Sequence, residues 1–309
     1  MKLLNLVGWS SMAIIPKTRQ TKPTGVIVNE HTLTASQTRL HVETLSRWFD
    51  FIHYDELLNR LSRPRSRPFC LLTFDDGKRS NATITAPELE RLGVPAVFYV
   101  TTRFLTDGSP LWFDRSDAIR RALGYAPPEL DGKTLKKLPF TLLNERLDRA
   151  CAEYQVTPDM ECDNIRPMSW EEARGMARRG FTIGAHGVKH TVLTCETEAD
   201  ALFEIRQSVE DVKKEIGECR TFAFPNGNYT RRLAQHALEC GVETIMTTEP
   251  MWVDSSFPPW RLPRVQFEDW HGRARIELKL AAAATGKLLA NPDGTGRRYR
   301  KYKGANCPQ

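Results

Sequence analysis

The sequence lacks any apolar run long enough to cross a membrane as a helix. A spanning helix needs roughly 20 consecutive apolar residues, and no stretch of the 309 residues approaches that length. The apolar stretch Leu3–Ile15 contains polar residues, and no small-x-small cleavage site follows it before Lys17. We therefore expect residues 1–24 to form an N-terminal helix or extension, packed on the domain or touching a membrane surface, rather than a cleaved signal peptide.

The sequence also lacks closely spaced pairs of cysteines. The seven cysteines are an odd number, are spread along the chain and include no CxxC. This pattern does not fit a disulfide framework and favours reduced core thiols in a cytoplasmic protein.

Positive charge is concentrated in one segment, Arg297–Lys303. It supplies much of the net charge of +6. We interpret residues 291–309 as a basic tail, either solvated or in contact with phosphates of a membrane lipid or a sugar-phosphate carrier. No other segment resembles a nucleic-acid module, so we expect no nucleic-acid partner, and peripheral contact with the inner face of the membrane stays open.

What the sequence does contain is a repeated order of helix, glycine and short apolar segment. Gly93, Gly180, Gly217 and Gly241 each end a helix-like stretch, because glycine just past a helix adopts the left-handed conformation easily. The predicted helices are Pro87–Leu92, Ser169–Arg179, Glu196–Ile216 and Tyr229–Cys240, and the strands after them are Ala96–Thr101, Phe181–Ala185, Thr221–Phe224 and Glu243–Thr247. Such alternation indicates an α/β fold with a parallel sheet.

Other elements complete this prediction. Phe69–Phe74 is continuously apolar up to Thr73, as expected for a strand buried on both faces. Further predictions are a strand at Gly25–Asn29, helices at Gln37–Phe49, Asp114–Leu123, Leu142–Tyr154 and Glu268–Leu289, and a helical insertion over about 107–167.

Two adjacent carboxylates, Asp75 and Asp76, follow the strand Phe69–Phe74. The carboxyl ends of strands hold the active site in α/β barrels. Neighbouring side chains of an extended chain point in different directions, so one aspartate can bind a metal while the other acts as a base. A plain turn with a helix N-cap is the alternative, because Asp-Asp-Gly is common there.

A second cluster is His186-Gly-Val-Lys-His190, which follows another predicted strand. Histidines four residues apart lie on one face of a helical turn and can share a metal, although surface pairs with this spacing also occur. Two imidazoles and one carboxylate form a three-ligand site with an open position, which suits zinc or a similar divalent ion. A further carboxylate beside the ion can accept a proton.

A third segment, Phe222–Gly227, ends in Pro-Asn-Gly. This tripeptide forces a tight turn, and backbone N–H groups of such turns can face a developing oxyanion. A turn without any chemical role is the alternative.

The ordered set TFDDG, HGVKH and FAFPNG resembles the NodB-homology polysaccharide deacetylases, carbohydrate esterase family four, and in particular a branch with FAFPNG-type motifs. The resemblance covers about 68–265, with a lead-in from Gly25. It implies a distorted, incomplete (β/α) barrel over 25–290. It also implies metal-dependent hydrolysis of N-acetyl, or occasionally O-acetyl, groups on polysaccharides or glycoconjugates.

The resemblance also implies residue roles, position by position. Asp75 would be the general base. Asp76, His186 and His190 would hold the metal, with zinc as the expected ion. The backbone around Asn226 would help to stabilise the oxyanion.

The sequence departs from the family pattern at three positions. Gly187 stands where many members carry Ser or Thr. The hydroxyl group at that position is not a metal ligand, so we expect little effect from its loss. Ala223 stands where many carry an arginine that orients the base. We predict that Arg264 replaces that arginine, with Arg261 as the other candidate and a surface role open for both.

The family's general-acid histidine, in a strand reading Leu-His-Asp, has no match. His271 is the nearest candidate for the acid. His31 follows an early strand and is a second candidate, with a structural role as its alternative.

Aromatic residues in the insertion and after the last strand are candidates for stacking on a sugar ring. They are Trp112, Phe113, Trp252 and Trp260, of which we select Trp112 and Trp260 for substrate binding. Core packing accounts for each of them equally well.

The expected function is deacylation of an acetylated amino sugar, as a free unit, in an oligosaccharide or in a glycolipid. Hydrolysis of small cyclic amides or imides on the same barrel is one alternative, because related branches act in that way. A non-catalytic glycan-binding barrel is another, because the general acid is missing from its usual motif.

Overall fold

The computed structural model describes residues 24–285 of the chain. The expected N-terminal helix and the basic tail 291–309 lie outside the described residues. Between Thr24 and Thr285, none of the helices combines the length and hydrophobicity that a membrane span requires.

The centre of the molecule is an eight-stranded sheet whose paired strands are all parallel. The strands are β1 (Gly25–Glu30), β2 (Asp50–Phe51), β3 (Phe69–Phe74), β4 (Ala96–Val100), β5 (Thr182–Ala185), β6 (Thr221–Ala223), β7 (Thr244–Met246) and β8 (Val265–Gln266). They are ordered β7-β6-β5-β4-β3-β1-β8, and β2 pairs with the start of β3.

Helices connect and flank these strands. They are α1 (Ala35–Ser46), α2 (Leu57–Ser62), α3 (Ala86–Arg91), α4 (Thr102–Asp107), α5 (Trp112–Leu123), α6 (Gly132–Leu135), α7 (Phe140–Tyr154), α8 (Trp170–Arg178), α9 (Glu198–Ile216), α10 (Arg231–Glu239) and α11 (Arg273–Ala284). The alternation of strand and helix is the α/β order that the sequence predicts.

The sheet curls into an incomplete barrel. Alternate residues of its central strands belong to two separate apolar clusters, and one cluster, which includes Ile27, Leu71 and Val97, fills the barrel interior. The gap between the outer strands is bridged by the segment before β8, where the backbone N–H of Leu262 donates to Ile245 of β7 at 2.9 Å. Val265 then pairs with Val28 of β1. The predicted incomplete (β/α) barrel is confirmed.

The glycines predicted to end helices adopt the left-handed backbone conformation. Their φ angles are +67° at Gly93, +91° at Gly180, +99° at Gly217 and +90° at Gly241. Glycine has no Cβ to clash in this conformation, so the chain turns from helix to strand without steric strain. The local pattern therefore predicted these junctions correctly.

The last predicted helix begins later than expected, at Arg273 instead of Glu268. The residues before it form a turn in which the backbone N–H of Glu268 donates to Nδ1 of His271 at 3.1 Å. The N–H of His271 donates back to the carbonyl oxygen of Glu268 at 2.9 Å. Helical periodicity alone does not reveal this closed turn.

Helices α5, α6 and α7 lie in the region where the sequence predicts an insertion, and they share their own apolar cluster. Buried residues from all three helices and Leu130, just before α6, contribute to it; the helix residues are Trp112, Ile119, Leu135, Leu143, Leu147 and Ala150. The region therefore packs as a small helical layer beside the carboxyl ends of the strands.

Candidate active site

The end of β3 divides its two aspartates between different surroundings. Asp75 continues the inward-facing row of Leu71 and Thr73, whereas the backbone turns at Asp76, where φ is +80°. Gly77 follows with φ of +85°, and a Cβ there would lie 2.8 Å from Leu105. The turn therefore requires glycine at position 77, and both carboxylates are buried.

The two histidines come together through a loop. Residues 186–190 form an irregular segment after β5, so the predicted helical turn is wrong. Gly187 and His190 have φ angles of +76° and +57°. The carboxylate of Glu204, on α9, accepts hydrogen bonds from the N–H groups of Val188 at 2.9 Å and Lys189 at 3.0 Å. This tertiary contact holds the loop, and sequence periodicity does not encode it.

Asp76, His186 and His190 form a group whose ligand atoms all lie within 4.8 Å of one another. Oδ1 of Asp76 is 3.2 Å from Nε2 of His190 and 3.8 Å from Nε2 of His186. That oxygen is buried and has no hydrogen-bond partner among residues 24–285. A divalent ion would satisfy it, because buried polar atoms otherwise need a partner.

The protonation of His186 also fits a metal ligand. Its Nδ1 donates to the carbonyl oxygen of Ala223 at 2.8 Å, which leaves the lone pair of Nε2 facing the aspartates. Burial lowers the pKa of His186 to about 4, so the ring is neutral near pH 7. Burial by itself would raise the pKa of Asp76, but the close contact with His190 holds that pKa well below its ordinary value.

Asp75 pairs with Arg264. The guanidinium donates from Nη1 to Oδ1 at 2.7 Å and from Nη2 to Oδ2 at 2.8 Å. Burial alone would raise the pKa of Asp75, but the Arg264 charge and hydrogen bonds lower it, so the carboxylate is ionised. Oδ2 is 3.9 Å from Nε2 of His186, which places an ionised carboxylate beside the group Asp76, His186 and His190.

Arg264 is only 1% exposed, so it is not a surface arginine. Its Nη1 also contacts Oγ1 of Thr73 at 3.1 Å and Oδ1 of Asn29 at 3.3 Å, and its Nε donates to the carbonyl oxygen of Thr247 at 3.1 Å. Arg261, the other candidate, instead pairs with Glu249 at 2.8 Å. The geometry therefore assigns the carboxylate contact to Arg264.

A cavity of about 800 Å³ opens above these residues. His31, Asp75, Asp76, His186 and His190 line it, together with Asn226 and Trp112. Asn226 has φ of +56° in the predicted turn, and its Nδ2 has no partner among the described residues. Trp112 donates from Nε1 to the carbonyl oxygen of His190 at 3.2 Å, so it also fixes the histidine loop.

The candidate residues that do not line the cavity include Arg264, His271, Trp252 and Trp260. His271 is 2% exposed in the turn before α11, and its carbonyl oxygen contacts Nε2 of His41 at 3.1 Å. Trp260 packs against the larger apolar cluster. His31 is the histidine that the structure brings to the lining instead, and its position directly after β1 was the sequence signal for it.

A buried ion pair between Lys78 and Asp114 was not predicted. It joins the turn after β3 to α5, and Lys78 also donates to the carbonyl oxygen of Ile165 at 3.2 Å. Burial raises the pKa of Asp114 to about 6, against the opposing effect of Lys78. Both residues line the cavity, and the lysine directly after TFDDG was the only local hint.

Comparison with known proteins gives one family match and several similar folds. The family described as Polysaccharide deacetylase matches residues 62–245, which is more than half of the 309-residue chain. A search of curated proteins gives no match.

Three solved structures are similar in fold. The Streptococcus pyogenes deacetylase PplD in complex with acetate has 13% identity and a TM-score of 0.59, covering 83% of this chain and 97% of that one. The BpsB deacetylase domain from Bordetella bronchiseptica has 16% identity and a TM-score of 0.55, with coverages of 81% and 98%. IcaB from Ammonifex degensii has 14% identity and a TM-score of 0.56, with coverages of 85% and 98%.

Proposed function

Because the chain belongs to the polysaccharide deacetylase family, we propose that it removes an N-acetyl or similar acyl group from an amino sugar in a polysaccharide or glycoconjugate. The observation that carries the proposal is the ionised Asp75 beside the buried group Asp76, His186 and His190. This combination suits metal-dependent hydrolysis, in which one carboxylate accepts a proton while a metal held by the other group would activate the attacking water.

Asp76, His186 and His190 are the residues that would hold the metal, for which we propose zinc. A divalent ion bound there would make a water acidic and polarise the acyl carbonyl group. The neutral Nε2 of His186 and the partnerless Oδ1 of Asp76 both support this assignment.

Asp75 acts as the general base in the proposed reaction. Arg264 orients the carboxylate through two hydrogen bonds and keeps it ionised. A carboxylate with a lowered pKa is a weak base, so it accepts a proton efficiently only from a water that is itself acidified. Because Arg264 lowers the pKa of Asp75, Asp75 depends on the ion that Asp76, His186 and His190 would hold to acidify the water.

The remaining steps fall to residues on the cavity wall. In the Pro-Asn-Gly turn, the backbone N–H of Asn226 is the donor proposed for the developing oxyanion, because Pro225 has no N–H and that of Gly227 donates to the carbonyl oxygen of Phe224 at 2.9 Å. His31 is better placed than His271 to protonate the leaving amine, because His31 lines the cavity and His271 does not. A histidine in this position also favours a catalytic barrel over one that only binds glycans.

The test measures acetate release by the zinc-loaded protein from N-acetylglucosamine, its oligomers, an acetylated glycolipid and an O-acetylated sugar. Hydrolysis of cyclic imides, the substrates of the alternative function, is measured in parallel. We expect release from at least one acetylated sugar and loss of release after chelation. A His186→Ala preparation controls for contaminating enzymes. Turnover of imides alone, or no turnover of any acetylated sugar, would contradict the proposal.

A further inference from the structure

One wall of the cavity is basic, and it comes from the helical insertion. Arg120 on α5, Lys133 on α6, and Lys136 and Lys137 just after α6 all line the cavity, and all four are exposed. None of them takes part in the ligand group or in the Asp75–Arg264 pair. The basic wall, defined by these four residues, is therefore separate from the proposed metal ligands and from the proposed base.

The positive charge of the basic wall is only partly neutralised. Arg120 pairs with Asp117 at 3.1 Å. The carboxylate of Asp131 accepts the backbone N–H of Lys133 at 3.0 Å, as the N-cap of α6. Within residues 24–285, the ammonium groups of Lys133, Lys136 and Lys137 form no ion pair.

The three lysines are attached to a packed segment. Leu135 lies between them in sequence and is fully buried in the insertion's apolar cluster. The N–H of Lys136 donates to Gly132 at 3.0 Å and that of Lys137 to Thr134 at 3.1 Å. Because this backbone is fixed, the lysines are held at the cavity edge, where they concentrate positive potential.

We propose that the basic wall binds a phosphate ester on the substrate, so that the amino sugar is recognised as a sugar phosphate while its acyl group reaches Asp75. This inference rests on the proposed function. Lysine binds phosphate as a point charge, and a phosphate ester carries enough negative charge to engage several ammonium groups. A neutral sugar can accept hydrogen bonds from these lysines but lacks the charge that a phosphate ester would add.

The experiment measures equilibrium binding of N-acetylglucosamine 1-phosphate and N-acetylglucosamine to the zinc-loaded protein by calorimetry. We expect the phosphorylated sugar to bind about tenfold more tightly, since each exposed charge contact contributes a factor of roughly two to five. The variant Lys133→Gln/Lys136→Gln/Lys137→Gln should reduce this preference to about twofold or less. High salt should weaken the preference in the wild-type protein.

A matched control removes the same charge elsewhere. Arg63, Arg65 and Lys214 are exposed, lie outside the cavity and form no ion pair among the described residues. The variant Arg63→Gln/Arg65→Gln/Lys214→Gln should keep the preference. Equal binding of the two sugars by the wild-type protein, or an unchanged preference in the lysine variant, would overturn the proposal.

Two further arms locate the bound phosphate and identify the form of the substrate. The preference must persist in the His186→Ala variant, because its loss there would mean that phosphate binds at the metal. The same sugar phosphate linked to a lipid in detergent distinguishes a carrier-bound substrate, which would bind more tightly than the soluble one, from a free sugar phosphate. Phosphate-dependent binding together with no acetate release from any acetylated sugar would refute the proposed function and leave the phosphate site standing.

Discussion

At the residue scale, two adjacent aspartates acquire different chemistry from their partners. Asp75 faces Arg264 and is held by two charge-assisted hydrogen bonds. Asp76 faces His190 and His186, and one of its oxygens has no hydrogen-bond partner in the described part of the chain. Replacing Asp75 should therefore affect different properties of the protein from replacing Asp76.

We predict that Asp75→Asn leaves the metal content intact and lowers kcat by about 100-fold or more, the contribution expected of a general base. His186→Ala and His190→Ala should remove both metal and activity. Elemental analysis paired with the acetate assay distinguishes these outcomes. Asp159→Asn, at an exposed position, is the control, and near-normal turnover by Asp75→Asn would mean that another group is the base.

At the scale of elements, the histidine loop contacts a helix that carries none of the proposed metal ligands. Glu204 on α9 accepts two backbone N–H groups from the loop and is 3% exposed. Without this acceptor, the buried N–H of Val188 and the partly buried N–H of Lys189 lose their partner, and we expect the loop to lose its shape.

We predict that Glu204→Ala weakens zinc affinity by roughly 10–100-fold, as is typical when the support of a ligand is removed. Glu204→Gln keeps an acceptor oxygen and should restore most of the affinity. Competition with a chromophoric chelator measures both. Equal affinities for the Ala variant and the wild-type protein would show that the loop holds its shape without Glu204.

His271 contributes to stability through the turn before α11. Burial lowers its pKa to about 4, with help from the nearby charges of Lys279 and Arg275. The hydrogen bond from the N–H of Glu268 also requires an unprotonated Nδ1. The unfolded chain binds this proton near pH 6.5, so the stabilisation is present above about pH 6.5 and is lost as the pH falls towards 4.

We therefore predict that the urea midpoint of the wild-type protein falls more between pH 7 and pH 4.5 than that of His271→Asn, whose Oδ1 can still accept the hydrogen bond. The exposed His53→Asn variant should follow the wild-type decline. Parallel declines in all three proteins would exclude His271 as a source of acid sensitivity.

Local signals in the sequence predicted the elements well and their long-range contacts poorly. Glycine at a helix end affects only its own turn, so Gly180 and Gly217 predicted the ends of their helices correctly. Arg264 lies 189 residues from Asp75, and its pairing was predicted only through the family resemblance, because no local pattern shows that the barrel brings the two together. The shape of the histidine loop likewise depends on Glu204, a contact between separate elements.

At the scale of the whole molecule, barrel closure assembles the site. The segment bonded to β7 runs into β8, which pairs with β1, and Arg264 lies just before β8. Its guanidinium crosses the barrel interior to the end of β3. The site thus depends on both edges of the curled sheet.

Metal removal should accordingly destabilise the entire fold. The three proposed ligands follow β3 and β5, which lie on either side of β4, so a bound ion would link strands that are not adjacent.

An ion that binds only the folded chain stabilises it by about 2.7 kcal/mol at 100 times its Kd. For a chain of 309 residues, whose entropy of unfolding is roughly 0.65 kcal/mol/K, that corresponds to about 4 °C in Tm. We predict that chelation lowers Tm by this amount, that zinc restores it, and that His186→Ala and His190→Ala show no response to zinc, all measured by scanning calorimetry. An equal zinc-dependent shift in those variants would place the stabilising ion elsewhere, and the three converging side chains would then have to serve another role.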